Sequence, residues 1–436
     1  DDALRWIHDP SRNWTYATRF TAPAAPQGLL LVAQSLDTLA TVRLNGVVVG
    51  SSTNMHVRMV LELPLALLRH GSDNTLAISF GDPVSYSTAE YAKHPCSCDG
   101  CCHFNATQYP IYDWAQGRPW IRKVQSHYGW NWGPASMPYG VPREICIVEL
   151  DNTPLLEDMR VSVKPAGGMP LPKEPLQDNS TDFDVTLELR IRAAKFIAAG
   201  SVLSVTTGWD TGMPRKIRLP ELNPGTNTVT VKLAAIRPAL WWPHELLIAS
   251  GHTRPAMYNI TVSLRDNGAD HPALPPSLGL HDEYSDTLRR RIGFRTAELV
   301  RDPAHDGNGT IFAWRINGVL LYVRGANIIP YDVFMTDRQV GRKQYAVSLQ
   351  SAVAAHMSMV RVWGGGAYLG DSFYDEADEL GARASSPVCP CYFVEYWSNW
   401  FGCLLLYVSR SASLARSDVR LCHLPGVVSI QGQRPG

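Results

Sequence analysis

The hydrophobic pattern of this 436-residue chain changes character once, near residue 298, and this change constrains the fold more than any other feature. Before it, apolar and polar residues alternate in short runs, which predicts strands with one buried face. After it, a strand-like run followed by helix-like spacing occurs twice. This order predicts a multi-domain protein with β-rich domains followed by a parallel strand–helix unit.

Residues 1–152 predict a β-sandwich of the jelly-roll type. The run 29–33 has the composition of a buried strand, and the alternating run 38–44 leads into Asn45-Gly46, the strongest short hairpin signal. Residues 47–49 would form the return strand, and 74–80 alternates again. Many short strands without a long helical pattern favour a sandwich or a jelly roll.

Residues 153–298 predict an immunoglobulin-like β-sandwich. The runs 183–191, 228–233 and 258–264 alternate cleanly, so each needs one buried and one solvated face. Roughly six or seven such strands fit within this segment, as in immunoglobulin-like domains. No residue of this segment stands out as a catalytic or binding candidate, so we interpret the domain as a spacer.

Residues 299–381 predict the first strand–helix units of a (β/α)8 barrel. A buried strand over 320–323 would run into Asn327, a helix would cover 338–357, and a second strand would cover 359–363. A second helix over 373–380 would end at Gly381. The alternation then stops, so 382–436 is interpreted as an aberrant tail and the barrel as incomplete.

The second of these strands carries unusual side chains, because Arg361 and Trp363 precede three glycines, residues 364–366. In a barrel the carboxyl ends of the strands face the active site, and Asn327, Arg361 and Trp363 all fall there. A guanidinium beside a flat apolar face suits a site that binds hydroxyls and stacks on a sugar ring. A buried arginine–carboxylate pair with a packed tryptophan is the alternative.

A second aromatic stretch, 127–134, contains Trp130, Asn131 and Trp132. On a strand, the two tryptophans would face one side and Asn131 the other. On an irregular loop all three would be able to point into a cleft. An aromatic corner of the core is the alternative without a ligand.

Charge and cysteine content limit the partners. Basic and acidic residues balance at 40 each, which argues against a nucleic acid or an anionic membrane held by general charge attraction. No uninterrupted run of about 18 apolar residues occurs, so no membrane span is predicted. The cluster from Cys96 to Cys102 favours disulfides or free thiols over zinc, so no metal and no cofactor are expected. A mild excess of glycosylation sequons suggests the secretory pathway. The sequons are Asn13, Asn105, Asn179, Asn259 and Asn308.

Taken in order, several motifs resemble the lysosomal-type β-mannosidases of glycoside hydrolase family 2 over roughly residues 4–381. The resemblance lies in Trp6-Ile7 with Trp14-Thr15-Tyr16, 127–134, Leu240-Trp241-Trp242-Pro243, 292–295, 317–334 and 359–366 continuing to 378–381. It implies a galactose-binding-like jelly roll, an immunoglobulin-like domain and a catalytic barrel. It also implies removal of terminal, non-reducing β-linked mannose from oligosaccharides with retention of configuration, in the lysosome or secretory pathway.

The resemblance assigns substrate-binding positions. Arg361 and Trp363 match barrel residues that line the mannose subsite, and Trp130 to Trp132 match the loop that the first domain inserts into it. Asn327 is a further candidate residue at the rim of this subsite. The family usually has aspartate where this chain has Asn131, and the amide offers fewer acceptor sites for sugar hydroxyls.

The resemblance does not extend to catalytic residues. In related enzymes the acid/base glutamate follows an asparagine, but no Asn-Glu dipeptide occurs in this sequence. None of Glu376, Glu379 and Glu395 stands in a matching motif. Both the acid/base and the nucleophile are therefore expected to be absent, early jelly-roll strands are expected to be missing, and little turnover is expected. A non-catalytic mannoside-binding or interaction protein, or a family 2 β-galactosidase or β-glucuronidase, remains the alternative.

Overall fold

The computed structural model describes residues 14–93, 113–130, 132–133, 135–143, 145–150, 153–168, 171–210, 212–247, 249–264, 287–331 and 339–385. The cluster from Cys96 to Cys102, the tail from 386, and the sites Asn13, Asn105, Asn131 and Glu395 lie outside these residues.

The first domain is a sandwich of two antiparallel sheets. One sheet has the order β1-β6-β3-β4 and the other β5-β2-β7, and β2 is buried along its whole length. The predicted hairpin is confirmed, because Asn45 and Gly46 join β3 to β4 with φ of 51° and 88°. The elements are β1 (Trp14–Thr21), β2 (Gly28–Ala33), β3 (Ala40–Leu44), β4 (Val47–Ser52), β5 (Met59–Glu62), β6 (Asp73–Phe80), α1 (Pro83–Lys93) and β7 (Ile145–Leu150), with 3-10 turns at Leu65–Leu67, Asp113–Trp120 and Gln125–Tyr128.

The second domain is also a two-sheet sandwich, with strand orders β11-β10-β13-β14 and β12-β9-β8. Along β9 the side chains alternate between buried and exposed, as the sequence pattern predicted. Their inner faces form one core that includes Phe183, Leu187 and Phe294. The elements are β8 (Leu155–Pro165), β9 (Phe183–Ala193), β10 (Val202–Thr207), β11 (Arg215–Arg218), β12 (Gly225–Ala235), α2 (His244–Leu247), β13 (Tyr258–Ser263) and β14 (Thr287–Ile292), with a 3-10 turn at Ala166–Gly168.

A small antiparallel sheet follows the second sandwich and corrects one prediction. It consists of β15 (Ala297–Val300), β16 (Ala313–Ile316) and β17 (Val319–Leu321). The run 320–323 was predicted as one buried strand, but Leu320 is 51% exposed and Tyr322 is 85% exposed. The prediction was wrong because this apolar run forms the short return strand of a hairpin. Composition alone does not distinguish such a strand from a strand buried in the core.

The last described unit is a parallel sheet with two connecting helices. Its elements are β18 (Gly325–Ile328), α3 (Gln339–Ala354), β19 (Met359–Val362), α4 (Asp371–Glu379) and β20 (Arg383–Ser385). Asn327 pairs in parallel register with Arg361, and Arg361 pairs with Ser385. The strand–helix alternation therefore extends beyond the boundary predicted at residue 381. The sequence did not reveal β20, because a strand of three residues is too short to show a period.

The motif around Trp241 joins the second sandwich to this parallel unit. Trp241 is buried, and its indole Nε1 donates to the carbonyl oxygen of Asp378 in α4 over 3.0 Å. The guanidinium of Arg295 stacks on the same ring at 4.2 Å, and Asn317 donates to the Trp241 carbonyl oxygen over 3.0 Å. This joint connects the second sandwich to α4 of the unit that carries Arg361.

Candidate functional site

A loop of the first domain lies against the carboxyl ends of the parallel strands. The backbone N–H of Ser126 donates to the carbonyl oxygen of Gly365 over 3.1 Å, and Arg143 donates to the carbonyl oxygen of Tyr368 over 3.0 Å. Two stretches some 230 residues apart in sequence, the aromatic loop 127–134 and the glycine-rich end of β19, are thereby brought together.

Three indole rings meet at this junction. Trp363 contacts Trp130 with ring centroids 5.0 Å apart and Trp132 with centroids 5.5 Å apart, both edge to face. The ring of Trp363 lies over Gly365, where a Cβ would stand 2.2 Å from a ring carbon. Because Trp132 is still 43% exposed, the aromatic cleft (Trp130, Trp132 and Trp363) presents an apolar face to solvent.

A polar pair stands on the neighbouring strand ends. Arg361 donates through Nη1 to the Oδ1 of Asn327 over 2.9 Å, so the partner of the arginine is an amide and not the carboxylate of the alternative interpretation. Partial burial lowers the pKa of Arg361 from its ordinary value, because desolvation disfavours the charged guanidinium. Its remaining N–H donors can serve a ligand's hydroxyl oxygens.

The structure distinguishes between the two conformations predicted for the aromatic loop. Trp130 and Gly133 exchange backbone hydrogen bonds of 2.9 and 3.2 Å, which is a tight turn and not a continuous strand. Trp130 and Trp132 consequently converge on the same ring. Of the glycosylation candidates, the three within the described part of the chain are exposed, namely Asn179, Asn259 and Asn308.

Arg118 was not singled out from the sequence, yet it belongs to the site. Its guanidinium carbon lies 4.8 Å from the ring centroid of Trp130, on the side of the first domain. An arginine twelve residues before Trp130 gives no periodic signal, because the chain between them contains the end of one 3-10 segment and all of another.

A buried network lies beneath the aromatic loop and also escaped sequence reasoning. The ammonium of Lys123, 0% exposed, donates to both carboxylate oxygens of Asp37 over 2.6 Å and also to the carbonyl oxygen of Pro138. His127 places its Nδ1 3.8 Å from the same carboxylate. Burial lowers the pKa of Lys123, while the charge of Asp37 acts in the opposite direction. The partner carboxylate is 86 residues away in sequence, so no local motif indicated it.

His56 borders this network. Burial lowers the pKa of His56 to about 4; the nearby charge of Asp37 opposes this shift, and those of Lys123 and Arg122 favour it. At neutral pH this histidine is neutral in the folded protein.

We expect acidification to destabilise the first domain through His56. The unfolded chain takes up a proton near the ordinary histidine pKa of 6.5, and the folded chain does so only near 4. The free energy contributed by the neutral histidine is therefore complete above 6.5 and is lost as the pH falls toward 4. Between neutral pH and about pH 5, the free energy of unfolding measured with urea should fall less for His56→Gln than for the wild type. The same change at exposed His70 is the control, and an equal pH slope in His56→Gln and wild type would contradict the assignment.

The described residues contain neither a metal-binding cluster nor a helix that could span a membrane. Within them, no group of three or more histidine, cysteine, aspartate or glutamate side chains is arranged to hold a metal ion. No helix in the same residues is long and apolar enough to cross a membrane.

Comparison with known proteins agrees with this architecture. A family model described as the glycosyl hydrolase 2 galactose-binding domain-like domain matches residues 1–143. "Beta-mannosidase B" of Aspergillus oryzae is 31% identical over 441 residues, covering 98% of this chain and 44% of the relative. "Beta-mannosidase" of Bos taurus is 30% identical over 403 residues, covering 86% and 38%. The crystal structure of a β-D-mannosidase from Dictyoglomus thermophilum matches with a TM-score of 0.67 and 22% identity, covering 88% of this chain and 41% of that one.

These matches define what the chain is similar to. Its first sandwich matches the galactose-binding-like domain of the glycosyl hydrolase 2 family. Over most of its length the chain is similar to β-mannosidases. The chain spans less than half the length of these relatives.

Proposed function

We propose that the aromatic cleft binds the terminal, non-reducing β-D-mannose of an oligosaccharide, as one part of a retaining β-mannosidase site. The observation that carries the proposal is the convergence of Trp130, Trp132 and Trp363 beside the Arg361 and Asn327 pair. Flat apolar rings beside directional donors are the chemistry that recognises a sugar, which has apolar C–H faces and hydroxyl edges. The names of the relatives supply the choice of mannose.

The parallel unit supports this location. In a (β/α)8 barrel the substrate binds at the carboxyl ends of the strands, and Arg361 and Trp363 stand at that end of β19. We propose that β18 to β20 are the first strands of such a barrel. The first domain then supplies one wall of the pocket through its loop.

Hydrolysis requires groups that the described cleft does not offer. A retaining glycosidase needs two carboxyl groups about 5–5.5 Å apart, one as acid/base and one as nucleophile. Of the candidate glutamates, Glu376 accepts from Gln350 of α3 over 3.0 Å and Glu379 pairs with Arg291 of β14, so both are engaged in contacts between α4 and neighbouring elements. We therefore expect this chain to bind a β-mannoside without hydrolysing it.

Titration calorimetry with methyl β-D-mannoside tests the proposal. We expect saturable heat at millimolar sugar, and weaker heat with methyl β-D-galactoside and with a β-glucuronide, the sugars of the alternative family 2 activities. A chromogenic β-mannoside should show no turnover above buffer. Absence of heat with every sugar would contradict mannoside binding. Preference for galactoside or glucuronide would favour the alternative enzymes, and robust turnover would contradict the assignment of a non-hydrolysing chain.

The cellular compartment remains a prediction as well. Exposed Asn179, Asn259 and Asn308 are accessible to glycosylation, which supports passage through the secretory pathway, and for a β-mannosidase a lysosomal destination.

A further inference from the structure

We propose that Lys123 is a positioning residue for the sugar subsite, because its buried ammonium joins the two ends of the loop that carries Trp130 and Trp132. This inference rests on the proposed function for its consequence on sugar affinity. The geometry of the loop is its independent basis.

The ammonium bridges three separate pieces of backbone. Lys123 itself lies at the start of the aromatic loop, the carbonyl oxygen of Pro138 lies at its end, and Asp37 belongs to the sandwich. Asp37 in turn exchanges backbone hydrogen bonds of 2.8 and 2.6 Å with Gly140. Both ends of the loop are therefore fastened to the same carboxylate-bearing residue.

The inside of the loop is held by a second set of contacts. The carbonyl oxygen of His127 accepts from the N–H groups of Ser136 and Met137, each over 3.1 Å, and this closes a smaller ring around the tryptophan turn. His127 also approaches Asp37 from this side. The loop that carries the two indoles is thus anchored by a fully buried charge pair.

A plain stabilising role would not require this arrangement. Elsewhere in the chain a buried carboxylate, Glu157, lies between Arg190 and Arg192 at 3.5 Å and accepts from Thr226 over 2.8 Å. That cluster ties neighbouring strands of the second sandwich. The pair of Lys123 and Asp37 instead ties a loop that reaches another domain, where Ser126 meets Gly365.

The test uses the full chain labelled with 5-fluorotryptophan, with fluorine signals assigned by single Trp→Phe variants. The variant is D37N/K123M, which removes both charges together and so avoids leaving one charge buried and unpaired. We expect its signals from Trp130 and Trp132 to shift or broaden, while those of Trp241 and Trp242 stay at their wild-type positions. Its affinity for methyl β-D-mannoside should fall at least tenfold.

Glu157→Gln is the matched control, since it removes a buried charge from the second sandwich. It should lower Tm yet leave the Trp130 and Trp132 signals and the affinity unchanged. Wild-type signals for both tryptophans in D37N/K123M would overturn the inference, and so would loss of all folding in that variant. If the wild type binds no mannoside, the proposed function fails, while the fluorine signals still decide whether Lys123 positions the loop.

Discussion

Replacing Trp363 with alanine is expected to weaken methyl β-D-mannoside binding by roughly 30-fold, about 2 kcal/mol of binding free energy. Trp363 is the only member of the aromatic cleft that contacts both of the other rings, at 5.0 and 5.5 Å. Its removal takes away one sugar-facing surface and also the support of Trp130 and Trp132. Calorimetric titration of the variant beside the wild type measures the effect.

The control is Trp209→Ala in the second sandwich. Trp209 also makes edge-to-face contacts, with Phe294 at 5.2 Å and Tyr258 at 6.3 Å, but it lies outside the cleft. It should lower the free energy of unfolding and leave sugar affinity within twofold of wild type, about 0.4 kcal/mol. Equal affinities for Trp363→Ala and wild type would exclude the cleft as the binding site.

Gly318→Ala should destabilise the chain by several kcal/mol, about 3 or more. Gly318 completes the Asn317-Gly318 turn with φ of 81°, and an added Cβ would stand 1.7 Å from the carbonyl oxygen of Glu174. The segment after Glu174 follows the turn closely, since Leu176 donates to the Asn317 carbonyl oxygen over 2.8 Å. The backbone has to move, and Asn317 would be displaced from Trp241 in the domain joint.

Gly46→Ala provides the matched comparison, because Asn45-Gly46 is the same kind of turn. Gly46 has φ of 88°, and an added Cβ would meet nothing within 4 Å. The free energy of unfolding of this variant should fall only by the cost of placing alanine in a left-handed backbone conformation, about 1–2 kcal/mol. Urea unfolding of both variants separates the two effects. Equal losses would show that the close approach of Glu174 has no energetic consequence.

Local sequence signals predicted the elements of this fold well where they are strong. The Asn45-Gly46 turn, the alternating strand β9, and the helices α3 and α4 all form as expected. Each depends on backbone preferences or on a hydrophobic period within a dozen residues. The three-residue strand β20 carries no such signal and was missed, and the run around β17 was predicted as a buried strand although Leu320 is exposed.

The candidate site was only half accessible to sequence reasoning. Trp130, Trp132, Asn327, Arg361 and Trp363 were selected by residue type, position and family resemblance, and the structure brings them to one junction. The supporting charges were not found, because a buried pair is defined by partners distant in sequence. Lysine is usually a surface residue, so nothing in the sequence indicates that Lys123 is buried. Its pairing with Asp37 explains its burial.

The central claim is that the aromatic cleft is the sugar-binding surface, and one titration tests it most directly. Methyl β-D-mannoside is added to the 5-fluorotryptophan-labelled chain while the assigned fluorine signals are followed. Signals of Trp130, Trp132 and Trp363 should shift together and saturate with one dissociation constant, while Trp241, Trp242 and Trp209 stay fixed. Saturable shifts confined to the tryptophans outside the cleft, or no shift anywhere, would contradict the claim.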